Sequence, residues 1–278
     1  MKFHRVEHVA GNMVLYGSVA AVLLFFYVPI FTLILFSFSD SRFLVFPIDS
    51  FSIRWFGDLF QSRDFLPALR NSAVIALFST LAATVLGTAA AVAWIRYSFR
   101  FQRVFQALTF SPLLFPQLLL GVVMLLWFSV LGGWFGFSPS VWTATIGHIV
   151  YITPFALIII AVQLYGFDDT LEDAARDAGA NHWQVFREVT FPMMWPGVFV
   201  AAIFVFLLSW GNFYITYSLS GTARTLPTFV FSGIAVGSSP IYPALATITF
   251  IPGLGLLFFA EFMRRRAAAK RRVEIHME

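Results

Sequence analysis

The residue types that could carry out chemistry are few in this sequence, and they do not form a catalytic set. There is no cysteine among the 278 residues, which excludes disulfide bonds, thiolate catalysis and cysteine-based metal sites. The five histidines are not interpreted as a set of metal ligands. The two lysines, Lys2 and Lys270, do not follow the glycine loop that holds nucleotide phosphates. We therefore expect no enzyme activity, no metal and no cofactor in this chain.

Acidic residues are concentrated in one segment, 166–195. It holds six of the 14 acidic residues of the chain, which are Asp168, Asp169, Glu172, Asp173, Asp177 and Glu188. A helix N-cap at Asp169 or Thr170 and a left-handed glycine at Gly179 would bound a first short helix. The segment is therefore predicted to leave the apolar pattern of the chain as a polar projection.

A second short helix is predicted directly after Gly179. Asn181, with Gln184 three residues later, has the spacing of a capping box. Pro192 and Pro196 are expected to stop this helix before the next apolar segment. We call residues 166–195 the hairpin, because two short helices joined at Gly179 are expected there.

The composition around the hairpin is typical of a membrane protein. Hydrophobic residues make up 59% and charged residues 12% of the chain, and the mean hydropathy is +0.81. A bilayer core needs about 20 apolar residues per helix. The longest charge-free interval, 104–167, must fold back, because its residues would form a helix about 96 Å long. One membrane domain is predicted, with six transmembrane helices over about 13–38, 72–94, 104–131, 141–165, 196–219 and 241–262.

Lysine and arginine predict how these spans are oriented. With both termini in the cytoplasm, 13 of the 18 basic residues lie on the cytoplasmic side, which is also the side of the hairpin. The basic residues sit at helix ends and tails rather than in one patch, so contact with membrane lipid is expected and a nucleic-acid partner is not.

Polar and aromatic side chains cluster at membrane depth near the end of the fifth predicted span. They are Ser209, Trp210, Asn212, Tyr214, Thr216 and Tyr217. In one interpretation they line a substrate path, where hydroxyls and amides bind a solute and aromatic faces hold its cationic or apolar parts. In the other they form hydrogen bonds between helices and an aromatic belt at the membrane interface.

Two features within the predicted spans also have two interpretations. His148 could relay protons, but it has no carboxylate partner within a span, which favours a packed, hydrogen-bonded role. Pro112 and Pro116, with Gln117, could open backbone carbonyls towards a cavity, although helix packing alone would tolerate them.

Packing and interface patterns add two further expectations. Gly87 and Ala91 form a pair of small residues four apart, which favours close contact with another helix. Segment 51–69 mixes aromatic residues with charges, which fits either a short helix at the membrane interface or a partly ordered loop.

The spacing within the hairpin resembles a known motif. Asp173-Ala174-Ala175 is followed after three residues by Gly179, and after nine more by Val189-Thr190-Phe191-Pro192. This is similar to the EAA motif of ABC importer permeases, E-A-A, x3, G, x9, I-x-L-P, with Asp, Val and Phe in place of Glu, Ile and Leu. Further stretches, such as Thr153-Pro154-Phe155 and Thr225-Leu226-Pro227, occur in the order found in spermidine/putrescine-type permeases.

The resemblance implies a type I ABC importer permease-like bundle in the bacterial inner membrane. In that family the hairpin contains a coupling helix that docks on an ATPase subunit. The residues implied for coupling are Glu172, Asp173, Ala174, Ala175, Asp177, Gly179 and Pro192. The implied partners are a second permease subunit that is a different homologue, two ATPase subunits that bind ATP and Mg, and an extracytoplasmic solute-binding protein. A polyamine or a related organic compound is the implied solute.

Two alternatives belong to other functional classes, namely an ion-coupled secondary carrier and a membrane assembly subunit without transport. A carrier usually has ionisable residues near the midplane of the membrane. Here the predicted spans contain no Asp, Glu, Lys or Arg except Glu261 at the inner end of the sixth span. The importer permease is therefore the favoured interpretation.

Overall fold

The computed structural model describes residues 2–168, 170–237 and 239–250, with side chains from Val14 onward except that of Val236. Regular structure in these ranges is helical, and extended pairing there is limited to one bridge between Ser39 and Phe51. The helices are α1 (Lys2–Ser37), α2 (Arg54–Gln61), α3 (Phe65–Arg96), α4 (Gln102–Phe110), α5 (Gln117–Phe135), α6 (Val141–Tyr165), α7 (Thr170–Asp177), α8 (His182–Val185), α9 (Phe191–Trp210), α10 (Tyr214–Leu219) and α11 (Leu226–Val236).

Five described helices are long and apolar enough to cross a membrane. They are Val14–Ser37, Phe65–Arg96, Gln117–Phe135, Val141–Tyr165 and His182–Trp210. A shorter apolar helix, Ile241–Phe250, covers the beginning of the sixth predicted span, and the rest of that span, 251–262, lies outside the described residues. The all-α membrane fold predicted from composition is confirmed.

The described residues up to Ser62 and those from Ser232 onward form one compact unit of the chain. Within it, the indole nitrogen Nε1 of Trp55 on α2 donates a hydrogen bond to the carbonyl oxygen of Ser39, at 2.6 Å. Next to this bond, the guanidinium of Arg54 lies 3.3 Å from the carboxylate of Asp40. Trp55 and Leu59 form the buried face of α2. Of the two interpretations of segment 51–69, the short helix is the one that the structure contains, over Arg54–Gln61.

Residues 63–231 form the second unit, which contains the hairpin and the polar cluster. Its centre is a three-helix group in which α3, α6 and α9 all pack against one another. A Cβ atom added at Gly87 on α3 would lie only 2.6 Å from the Cβ of Ala156 on α6. Ala91, one turn further along α3, is fully buried. The helix contact predicted from these two small residues is confirmed.

The third predicted span, 104–131, is divided in the structure. Helix α4 ends at Phe110, a 3₁₀ turn covers Ser111–Leu114, and α5 begins only at Gln117. Pro112 lies at the start of the 3₁₀ turn and Pro116 is the extended residue that precedes α5. Because proline removes a backbone donor and fixes φ, the two prolines end one helix and begin another instead of kinking a single helix.

The fifth predicted span, 196–219, also differs from the structure at both ends. Its helix begins at His182, passes through a π turn at Phe186–Thr190 and continues past Pro192 and Pro196, so the expected stop at these prolines is wrong. Pro192 lies in the first turn of α9, where its missing N–H group is tolerated. At the other end, the helix stops at Trp210, and α10 begins after a short break.

Candidate functional site

The hairpin is built by two local capping arrangements. After α7, Gly179 adopts a left-handed backbone with φ of +91°. Its N–H group donates to the carbonyl of Arg176 at 2.9 Å, and that of Ala180 donates to the carbonyl of Ala175 at 3.0 Å. These two bonds are those of a Schellman motif, which satisfies the last carbonyls of a helix and favours glycine. The predicted end of the first short helix at Gly179 is confirmed.

The second helix begins at the predicted capping box. The side chain of Asn181 accepts a hydrogen bond from the backbone N–H of Gln184 at 3.0 Å, and the side chain of Gln184 accepts one from the N–H of Asn181 at 2.8 Å. Before α7, the backbone N–H of Thr170 donates to the carboxylate of Asp168, which lowers the pKa of this carboxyl. The start of the hairpin and the turn between its two short helices are therefore specified by side chains of the hairpin itself.

Most of the residues predicted to act in coupling lie on the outside of the hairpin. Ala174, Asp177 and Gly179 are exposed, Ala175 is half-buried, and the side chain of Asp173 is 68% exposed. Pro192 is also exposed, but it lies on α9 rather than on α7. The hairpin thus presents small and acidic side chains outward.

Large apolar side chains flank this surface. Leu171 on α7 is 50% exposed and Trp183 on α8 is 66% exposed. Trp183 stacks on Phe186 with its ring centroid 5.7 Å away. Exposed aromatic side chains are enriched in surfaces that bind other proteins.

Glu172 differs from the other predicted coupling residues because it points inward. It is 6% exposed, and its Oε1 atom lies 3.0 Å from Nε of Arg96 at the end of α3. The hydroxyl of Thr190 donates to the same oxygen at 2.9 Å, and Nη2 of Arg176 lies 3.4 Å from Oε2. The contact with Arg96 is an ion pair, since Nε is not aligned for a hydrogen bond.

The polar residues predicted for the substrate path divide into two groups. Ser209, Asn212 and Thr216 are buried, whereas Tyr214 and Tyr217 are 47% and 59% exposed. Trp210, which is half-buried, stacks on a neighbouring ring of its own helix. The structure therefore brings three of the six predicted residues together in the helix group and leaves the aromatic ones at its margin.

The three buried residues belong to a hydrogen-bonded chain that crosses the helix group, which we call the polar junction. The hydroxyls of Ser79 on α3 and Ser209 on α9 are 2.8 Å apart. Nδ1 of His148 on α6 lies 2.7 Å from Ser209, and Nε2 lies 2.8 Å from the hydroxyl of Thr216 on α10. The single hydroxyl proton of Thr216 goes to the carbonyl of Asn212 at 2.8 Å, so Nε2 of His148 is the donor to Thr216.

The polar junction continues through Asn212 to α5. The side-chain oxygen of Asn212 accepts from the N–H of Ile215 at 3.1 Å, and its amide nitrogen lies 3.4 Å from the side-chain oxygen of Gln117. The amide nitrogen of Gln117 in turn donates to the hydroxyl of Tyr151 on α6. Asn212 thus supports the break between α9 and α10, because its side chain binds a backbone N–H at the start of α10.

The polar junction confirms the packed, hydrogen-bonded interpretation of His148. Sequence reasoning did not identify Ser79 or Tyr151 as members of the polar junction, since an isolated serine or tyrosine in an apolar helix carries no distinguishing signal. The small pocket bounded by Ser72, His148 and Ser209 has no space for a water molecule. These side chains are therefore closely packed in the conformation described.

A large open groove lies elsewhere on the helix group. It has a volume of about 1020 Å³ and lies between α3 and α9, with the π turn at one end. The hydroxyls of Thr80 and Thr84 on α3 line the groove, are shielded from solvent and have no hydrogen-bond partner. Among the described residues, no group of three His, Asp or Glu side chains could hold a metal ion.

Comparison with known proteins gives consistent results. Residues 83–273 match the family described as "binding-protein-dependent transport system inner membrane component". The chain is 30% identical over 256 residues to the spermidine/putrescine transport system permease protein PotC of Escherichia coli (strain K12), covering 92% of this chain and 95% of the relative. It is 32% identical over 253 residues to the putrescine transport system permease protein PotI of the same strain, covering 90% and 89%.

Solved structures support the same fold. A chain of a bacterial ABC transporter that imports the acidic polysaccharide alginate superposes with a TM-score of 0.73 at 18% identity, covering 95% of this chain and 99% of that one. A chain of the MetNI methionine ABC transporter in an inward-facing conformation superposes with a TM-score of 0.59 at 20% identity, covering 78% and 98%.

The family match decides between the three functional classes that the sequence left open. It covers more than half of the chain, and both curated relatives are transport permeases rather than ion-coupled carriers or assembly subunits. The chain belongs to the family of binding-protein-dependent transport system inner membrane components and is a permease component of an ABC importer.

Proposed function

We propose that this chain is one of two permease subunits that together form the translocation path, and that its hairpin docks on an ATPase subunit in the cytoplasm. Two ATPase subunits bind ATP and Mg in this arrangement, and an extracytoplasmic solute-binding protein delivers the solute. Closure of the ATPase pair moves both hairpins and switches the bundle from inward-open to outward-open. Both termini then lie in the cytoplasm, in agreement with the excess of basic residues on that side.

The observation that carries this proposal is the surface of the hairpin. Ala174, Asp177 and Gly179 are exposed, and Leu171 and Trp183 add exposed apolar surface. Small side chains allow another protein to approach the backbone closely, while acidic groups permit specific pairing with a basic surface. A chain without a nucleotide-binding loop needs such a contact to receive energy from ATP.

A polyamine or a related organic compound is the proposed solute. The support is the identity of 30% to 32% with relatives named for spermidine and putrescine transport. We propose that Ser209, Asn212 and Thr216, with the nearby aromatic residues Trp210, Tyr214 and Tyr217, face the path when the bundle opens. Amides and hydroxyls can bind amino groups, and aromatic faces attract cations.

The coupling role can be tested by adding charge to the hairpin. Ala175→Arg places a long cation on the docking surface, so the ATPase that copurifies with the permease is expected to fall about tenfold or more. The matched control is Ser98→Arg, which adds the same charge at an exposed position between α3 and α4. Solute-stimulated ATP hydrolysis in proteoliposomes should follow the amount of bound ATPase.

The result that would refute the coupling role is equal copurification of the ATPase with the Ala175→Arg and Ser98→Arg variants. The solute assignment is tested separately, by uptake of labelled putrescine and spermidine in the presence of the cognate solute-binding protein. Uptake of neither, with intact stimulation by another solute, would reject the polyamine assignment and leave the coupling role standing.

A further inference from the structure

Glu172 connects helix α7 with the end of α3 and with the π turn that precedes α9. Its carboxylate contacts Arg96, the last residue of α3, and Thr190, the last residue of the π turn that leads into α9. Arg176 on its own helix lies next to the second carboxylate oxygen. The ends of two apolar helices and the first helix of the hairpin therefore meet at one side chain, and we call these four residues the clamp.

The ion pair in the clamp is shielded from solvent on both sides. The side chain of Arg96 is 15% exposed and that of Glu172 is 8% exposed. Exposed ion pairs contribute little, but a pair at this depth is not readily broken because either partner alone would be left as a buried charge. Asp173, by contrast, is 68% exposed, and its pair with Arg176 lies within one helix.

The clamp supplies the connection between α7 and α3. Helix α7 packs mainly on α8 and on the π turn, whereas it reaches α3 through the long side chain of Arg96. Thr190 then connects the same carboxylate to the start of α9 through its hydroxyl. A π turn is a local widening of the helix that is frequent at functional sites.

We propose that Glu172 is a positioning residue that fastens α7, the first helix of the hairpin, to the end of α3 through Arg96 and to the start of α9 through Thr190. This rests on the proposed docking of the hairpin on an ATPase. A displacement of the hairpin then moves α3 and α9 together, and these are the two helices that line the large groove. Without the clamp, the hairpin still binds the ATPase but moves independently of α3.

A small cavity beside the clamp makes selective loosening possible. Its volume is about 110 Å³, and Arg96, Tyr97, Glu172, His182 and Thr190 are among the residues that line it. A polar cavity of this size admits water. Removal of one charge is therefore expected to leave a hydrated, loosened contact and a protein that still folds.

The test uses variants that change charge and preserve shape. Glu172→Gln and Arg96→Gln each break the ion pair, Arg96→Lys preserves its charge, and Arg103→Gln removes an exposed charge of α4 as the matched control. In proteoliposomes with the ATPase and the loaded solute-binding protein, we expect both glutamine variants to retain the bound ATPase and its ATP hydrolysis. In these two variants, the number of solute molecules transported per ATP is expected to fall about tenfold. Arg96→Lys is expected to restore most of this transport, and Arg103→Gln is expected to leave it unchanged.

The double variant and hydrogen exchange give two independent checks. Because both buried charges are removed together, Arg96→Gln with Glu172→Gln is expected to be no worse than either single variant, which a double-mutant cycle reveals as strong non-additivity. In the purified permease, amides of α7 are expected to exchange about tenfold faster in Glu172→Gln, while those of α6 are unchanged.

Failure of this inference is distinguishable from failure of the proposed docking. Unchanged transport per ATP in both glutamine variants, with the ATPase still released by Ala175→Arg, would overturn the clamp and leave the docking intact. If Glu172→Gln does not assemble with the ATPase, the exchange measurement decides: faster exchange confined to the hairpin supports the clamp, and unchanged or uniformly faster exchange overturns it.

Discussion

The contact between α3 and α6 at Gly87 predicts that Gly87→Ala destabilises the protein although alanine is the better helix former. The added Cβ would lie 2.6 Å from the Cβ of Ala156, 2.9 Å from the backbone nitrogen of Leu157 and 3.1 Å from the carbonyl carbon of Ala156. Carbon atoms normally approach to about 3.5 to 4.0 Å, so the shortfall is about 1 Å. Two of the three contacts are with backbone atoms, which cannot rotate away.

The expected magnitude is the difference of two opposing effects. Overpacking of this kind costs about 1 to 3 kcal/mol, and replacing glycine with alanine inside a helix returns about 1 kcal/mol. The free energy of unfolding is therefore expected to fall by up to about 2 kcal/mol. Gly133→Ala on α5 is the matched control, because it makes the same substitution in a helix with no atom within 4 Å of the added Cβ.

The assay is unfolding of the purified protein in mixed micelles by a denaturing detergent, followed by the fluorescence of its 8 tryptophans. Gly87→Ala is expected to unfold at lower detergent than the unmodified protein, and Gly133→Ala at the same or higher detergent. Adding Ala156→Gly to Gly87→Ala removes the shortest contact but leaves the backbone contacts, so the double-mutant cycle should show partial compensation of about 1 kcal/mol. Equal stability of Gly87→Ala and Gly133→Ala would show that α3 and α6 are not this close.

Two further predictions concern the polar junction and the hairpin. His148→Leu removes two hydrogen bonds between helices and is expected to lower the free energy of unfolding by about 1 to 2 kcal/mol. The control Thr145→Val removes a hydrogen bond within α6 and should change the free energy of unfolding by less than about 0.5 kcal/mol. Similar losses for both variants in the detergent titration would argue against the polar junction. Gly179→Ala requires a left-handed alanine at φ of +91° with open space around it, so the hairpin should lose about 1 kcal/mol of local stability. Hydrogen exchange of the Ala180 amide measures this loss. The control is Gly166→Ala, because Gly166 has an ordinary φ. Equal exchange of the Ala180 amide in the two variants would contradict the left-handed conformation of Gly179.

The features of the hairpin that were predictable from sequence are those decided by neighbouring residues. A glycine after a short helix and an asparagine three residues before a glutamine specify their turns through local hydrogen bonds, so Gly179 and the box at Asn181 were identified correctly. The spacing of the whole motif depends only on order along the chain. The family resemblance could therefore be recognised without any knowledge of three-dimensional contacts.

The features that were missed depend on contacts over long sequence distances or on backbone choices in uniformly apolar segments. Glu172 pairs with a residue 76 positions earlier and was grouped with its exposed neighbours, because sequence alone does not show which side of α7 is buried. The break after Trp210 was missed because the contacts that support it, from the side chain of Asn212 to the N–H of Ile215 and to Gln117 on α5, are not visible in the sequence. Proline was assigned too strong an effect at Pro196, which α9 accommodates, and too weak an effect at Pro116, where one helix ends and another begins.

The π turn at Phe186–Thr190 determines the direction in which the hairpin faces. Its closing hydrogen bond runs from the N–H of Phe191 to the carbonyl of Phe186, so it holds one residue more than an α-helical turn. Each residue of an α-helix rotates the chain by about 100°. Deleting one residue there would convert the turn to ordinary helix and swing α8 about the axis of α9 by roughly that angle. Insertion or loss of a single codon could thus re-aim the hairpin towards a differently placed partner while the sequence of the span itself stays the same.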